Sequence, residues 1–154
     1  MSNINILRGQ CHCGAISFEF LTLMPTEKIV PRACSCSFCT RHGAQYISDP
    51  EGEFKLSYTK GAEVGRYRFG TGTADFIVCK QCGCLIAALS EIEGKLRAVI
   101  NARNLLQPLV QQPVVTKFDG ECVEERLRRR GRTWTGMVIE NYQERRPVLV
   151  NACG

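Results

Sequence analysis

The chain has 154 residues, with 20 Lys and Arg against 15 Asp and Glu (net charge +5), 44% hydrophobic and 23% charged residues, and ten cysteines beside two histidines. Normal apolar content with low net charge excludes a disordered chain, and no apolar run approaches the roughly 20 residues that cross a bilayer. The length predicts one domain, 1–154. The stretch from Met1 to Arg8 lacks the basic start and apolar core of a secretion signal, so a cytoplasmic, reducing setting is expected. There, closely spaced thiols act as metal ligands more often than as disulfide partners.

In chain order, Cys11 and Cys13 come first, one residue apart, followed by a strand at 15–20 with Ile16, Phe18 and Phe20 on one face and Ser17 and Glu19 on the other. A second strand, 28–33, leads into Cys34-Ser35-Cys36-Ser37-Phe38-Cys39, and 36–42 is expected to form a short helical turn. Strands are predicted at 45–48, 53–58, 65–69, 75–79, 85–89, 96–101 and 113–118, with a further helical turn at 103–107. Asp49-Pro50, Gly61, Gly70-Thr71-Gly72 and Gly94 separate them. The fold class expected is mainly β, with antiparallel sheets and short helical turns organised around zinc knuckles.

The cysteines fall where strands meet turns. Cys11-x-Cys13 and Cys79-x-x-Cys82, two ligands from each of two distant turns, complete a tetrahedral four-thiolate site. Such a site has no vacancy, which makes it structural. Cys84, at the start of a strand, is expected to point into the core. Cys34, Cys36 and Cys39 supply three sulfurs from one segment, the arrangement of a catalytic zinc with an open fourth position. The alternative is a second closed site completed by His42, His12 or Cys84. The spacings match neither ferredoxin pattern, which argues against an iron–sulfur cluster.

The order Gly9-Gln10-Cys11-His12-Cys13-Gly14-Ala15, then the 34–39 cysteine group, then Cys79-Lys80-Gln81-Cys82-Gly83 resembles the glutathione-dependent formaldehyde-activating enzymes, which include the centromere protein V type. The resemblance runs from about Gly9 to Asn101. It implies an Mss4-like β fold with two zinc ions per chain. The structural zinc would be held by Cys11, Cys13, Cys79 and Cys82, and the catalytic zinc by Cys34, Cys36 and Cys39. It also implies a carbon–sulfur lyase of the S-(hydroxymethyl)glutathione synthase type, joining or releasing glutathione and formaldehyde. Cys84, Cys122 and Cys153 fall outside the shared pattern.

Three thiolates on a divalent ion leave a net negative charge that needs compensation. Arg32 and Arg41 flank the group and are candidates to neutralise it or to grip glutathione's carboxylates. His42 is the candidate for acid–base help or a fourth ligand. The rival reading is a non-catalytic zinc module for protein or nucleic-acid interaction. Its sequence basis is the run Arg126, Arg128, Arg129, Arg130 and Arg132 beside Trp134. Glu121, Glu124 and Glu125 directly precede that run, and such runs are usually solvated faces, so a nucleic-acid partner is not expected.

Overall fold

In a computed structural model, residues 3–58 and 64–140 are described. Their elements are β1 (Asn5–Gln10), β2 (Ile16–Thr22), β3 (Arg32–Cys34), α1 (Ser37–His42), β4 (Tyr46–Ile47), β5 (Glu53–Tyr58), β6 (Val64–Tyr67), β7 (Asp75–Cys79), β8 (Leu85–Ile92), β9 (Lys95–Asn101), β10 (Val114–Thr116), α2 (Val123–Thr133) and β11 (Met137–Ile139). Among them no helix is long and apolar enough to cross a membrane. Gly61 and Cys153 lie outside the described residues.

The strands form two sheets, ordered β1-β2-β5-β11 and β10-β3-β4-β9-β8-β7-β6. Alternation in β2 works as the sequence predicts: Ile16, Phe18 and Phe20 are buried, and Phe18 packs on Phe54 of β5 with ring centroids 5.7 Å apart. Burial of each such side chain stabilises the fold by about 2–3 kcal/mol. β8 is buried on both faces from Leu85 to Ser90, because it is central in its sheet and covered on each side.

Most pairings are antiparallel, but β3 pairs parallel with β10 and β5 parallel with β11. The extended stretch expected at 28–33 is shorter. Thr26–Lys28 makes a 3-10 turn and only Arg32–Cys34 is strand. Pro25 and Pro31 lack the N–H that a ladder needs. The helical turn expected at 103–107 is a 3-10 turn at Ala102–Asn104. β1, β11 and α2 had no sequence prediction.

α2 decides the shape of the site. Glu125 in its first turn accepts the N–H of Cys122 at 3.3 Å, satisfying one of the donors exposed at a helix start. Its C-terminal end runs into Trp134 and Thr135, where Thr135 bridges Ala98 of β9. Ser48 Oγ donates to the Thr133 carbonyl at 2.7 Å and accepts from Arg32 Nη2 at 2.6 Å, tying the helix end to β3 and to the end of β4. A Cβ at Gly136 would overlap the Pro50 carbonyl, so a glycine is required where the chain turns into β11.

Candidate metal centres and the cavity beside one of them

Cys11 and Cys13 precede β2, while Cys79 ends β7 and Cys82 lies on the turn to β8. Gly14 and Gly83 follow each pair with φ of 80° and 82°, a left-handed conformation that glycine adopts without steric cost. These turns aim backbone N–H groups at sulfur: Ile16 N–H lies 3.3 Å from Cys11 Sγ. The Cys11–Cys13 and Cys13–Cys79 sulfur separations are both 3.6 Å, and the four sulfurs lie within 4.8 Å of one another. Sulfurs about 2.3 Å from a tetrahedral zinc would stand about 3.8 Å apart, so this donor set fits a closed four-thiolate site. Burial pushes the Cys11 thiol up, and its Cys13, Cys79 and Cys82 neighbours act the same way. In the metal-free protein such crowded thiols resist ionisation together, a repulsion that a divalent cation removes. Cys84 is half-buried and packs against the main core.

The second cluster is local. Cys34 ends β3, Cys36 caps α1 by accepting the Cys39 N–H at 3.4 Å, and Cys39 is buried one turn later. The three sulfurs lie within 4.8 Å of one another. Hydrogen bonding from Cys39 draws the Cys34 thiol down to about 5 against the effect of burial, with help from the Cys36 backbone N–H and the Arg129 charge. Cys39, which gives the hydrogen to Cys34 and is buried, is pushed up. One sulfur of the group is therefore anionic at neutral pH, and the soft three-sulfur donor set fits zinc.

What separates the two clusters is their surroundings. Cys34, Cys36 and Cys39 line a cavity of about 410 Å³, whereas none of the other four cysteines does. Its floor comes from the smaller core cluster, in which Tyr46, Ala88, Val99 and Trp134 pack around Cys39. The Tyr46 hydroxyl lies 3.2 Å from Cys39 Sγ, and burial above all, with the cysteine cluster beside it, pushes its pKa up so that it keeps its proton. An aromatic wall is made by Phe69 and Phe76, with Phe38 wedged behind at centroid distances of 5.0 and 5.1 Å.

The cavity also has a cationic lining. Arg126, Arg129 and Arg130 of α2 line the cavity together with Arg32. Arg129 forks onto Glu121 through Nε and Nη2 at 2.9 and 3.1 Å, and its guanidinium sits 3.6 Å over the Phe118 ring. Arg126 Nε reaches the same carboxylate at 3.3 Å. Arg130, only 6% exposed, donates to Thr73 and Ser90 hydroxyls at 2.8 and 3.2 Å and lies over Trp134. Burial, then repulsion from Arg126 and Arg129, pulls its pKa down to about 10, which leaves it charged at neutral pH.

Of the site residues expected from the sequence, Arg32 is on the cavity wall. Arg41 and His42 are exposed and are not among the lining residues: Arg41 donates to the Ser37 carbonyl of its own helix, and His42 makes a tilted ring contact with Phe38. Tyr46, Trp134 and the inward role of α2 were not anticipated. A signal existed, since Arg126, Arg129 and Arg130 are spaced by three and four residues, which on a helix is one face. Arg128 and Arg132 of the same run are exposed.

A family profile described as glutathione-dependent formaldehyde-activating enzyme matches residues 6–118. A crystal structure of a Rhodobacter sphaeroides protein, a structural-genomics target, is 25% identical, with a TM-score of 0.53 over 70% of this chain and 99% of that one. The match spans both cysteine clusters, so the chain belongs to the family of glutathione-dependent formaldehyde-activating enzymes.

Proposed function

We propose that the chain is a carbon–sulfur lyase of the S-(hydroxymethyl)glutathione synthase type, with two zinc ions, one structural and one at the cavity. The observation that carries this reading is that all three sulfurs of the Cys34, Cys36 and Cys39 group belong to residues lining the cavity of about 410 Å³, which none of Cys11, Cys13, Cys79 and Cys82 lines. A zinc held by Cys34, Cys36 and Cys39 would supply a positive charge that keeps a substrate thiol ionised. In the addition direction, the thiol sulfur's electron pair forms the carbon–sulfur bond, and the carbonyl π pair becomes an oxygen lone pair. That oxygen takes a proton to balance the one the thiol gave up, and nothing is oxidised or reduced. The aromatic and cationic side chains that line the cavity confine the partners, so that proximity replaces a bimolecular encounter. Tyr46 holds its proton on the cavity floor, beside Cys39.

The interaction-module alternative needs the arginine run as a continuous outer surface, and three of its five members line the cavity instead. Formaldehyde and thiols also combine unaided, so the test reads an excess over background. Exchange between glutathione and its hydroxymethyl adduct, followed by NMR with and without enzyme, is expected to be accelerated. Cys36→Ser keeps a helix-capping side chain and should retain one zinc per chain while losing the acceleration. Full acceleration in that variant would overturn the assignment.

A further inference from the structure

We propose that the inner face of α2 together with Arg32 forms a carboxylate-binding subsite, so that the cavity takes thiols carrying an anionic group and discriminates against neutral ones. This rests on reading the cavity as the place where a thiol is bound. The argument begins with charge. Four guanidiniums line the cavity, and one carboxylate, Glu121, serves two of them. Arg32 and Arg130 are bonded to hydroxyls alone, those of Ser48, Thr73 and Ser90, and among the described residues neither has a carboxylate within ion-pair distance. The Arg130 Nε is buried and unpartnered. Asp119 also lines the cavity but is exposed and pairs with Lys117 at 3.7 Å.

Three thiolates on a divalent ion would contribute a single negative charge, so the wall keeps positive charge in excess even with the metal centre filled. Buried charge without a counter-charge is costly, and a ligand anion removes that cost on entering. Arginine forks match a carboxylate with two parallel hydrogen bonds, which gives orientation as well as attraction. Phe69 and Phe76 line the same cavity and offer apolar surface for the ligand's carbon skeleton. All of α2 lies beyond residue 118, where the family match ends, so three of the four guanidiniums come from a segment outside the shared pattern and only Arg32 from within it.

Trp134 is the chain's single tryptophan and lines the cavity, so its emission reports occupancy, with calorimetry as a second readout. The probes are S-methylglutathione, which has both carboxylates and no free thiol, and its dimethyl ester. The zinc-loaded protein is expected to bind the acid with salt-weakened affinity and the ester about tenfold more weakly or worse. Arg126→Gln and Arg32→Gln should each weaken acid binding by a similar factor, while Arg126→Lys retains most of it. Equal binding of acid and ester, no binding of the acid by either readout, or unchanged affinity in both Gln variants would each overturn the proposal. The acid–ester comparison needs no variant to fold. If the acid binds as expected but no thiol–aldehyde exchange is accelerated, the lyase reading fails and the anion subsite stands.

Discussion

The hydroxyl of Tyr46 lies 3.2 Å from the sulfur of Cys39, so a side chain from β4 reaches the three-cysteine cluster at the junction of β3 and α1. Both groups are buried, and a hydroxyl that keeps its proton can donate to a thiolate and spread its charge. Tyr46→Phe preserves the ring and removes only the donor. The expected result is an intact fold, a loss of about 1 kcal/mol in stability, and faster zinc loss from the three-cysteine site to a mild chelator. An unchanged rate of zinc loss would show that the contact does not tune the site.

The four-cysteine cluster joins the turn after β1 to the turn after β7, in different sheets. Metal binding there is folding free energy, because the unfolded chain has no preformed site. Cys79→Ser is therefore expected to lose cooperative thermal unfolding as well as one zinc, whereas Cys36→Ser loses one zinc and stays folded. Circular dichroism with metal analysis distinguishes them. A well-folded Cys79→Ser protein would contradict the structural role.

Glu121 anchors Arg126 and Arg129, and the Arg129 hydrogen bond holds its carboxyl below the usual value of 4.5. A depressed pKa means that the unfolded state binds more protons in this range, so the contribution is present above about pH 4.5 and is lost as pH falls through the folded value. Acid titration of Trp134 emission should show a transition below pH 4.5 as the helix end loosens. In Glu121→Gln that transition should be absent. A variant titrating like the wild type would place its origin elsewhere.

His42 is exposed and meets Phe38 in a tilted ring contact with centroids 4.7 Å apart. His42→Ala is expected to keep both zincs and to retain thiol–aldehyde exchange within about threefold of wild type, since an exposed ring contact contributes on the order of 1 kcal/mol or less. Loss of a zinc, or a drop well beyond that, would restore the ligand or acid–base role that its place after Cys39 suggests.

The difference between what could and could not be read in advance follows from range. Cys34, Cys36 and Cys39 converge because a strand end and one helical turn bring them together within six residues, so their spacing alone announces the cluster. The Cys11–Cys13 and Cys79–Cys82 pairs are legible for the same reason, each being a tight turn closed by a glycine. Strands such as β2 and β5 reveal themselves through period-two burial. β1 also alternates in burial from Asn5 to Gly9, but its residue types hide it: Ile6 is exposed, and the inward positions beside Leu7 are Asn5 and Gly9, the latter pressed against the Phe18 ring. β11 exists only by pairing with β5.

By itself, then, the sequence determined the two cysteine clusters, the β-rich class and the family pattern, because each depends on neighbours along the chain. The tertiary structure alone decided that the three-cysteine cluster lines this cavity and which way the arginine run faces. Arg126, Arg129 and Arg130 look like a solvated surface in sequence, since charged residues are normally outside. They line the cavity because Glu121, Thr73 and Ser90 supply partners from three separate segments and Trp134 anchors the helix end. Long-range hydrogen bonds of this kind fix the face of a helix, and no local pattern of residues contains them.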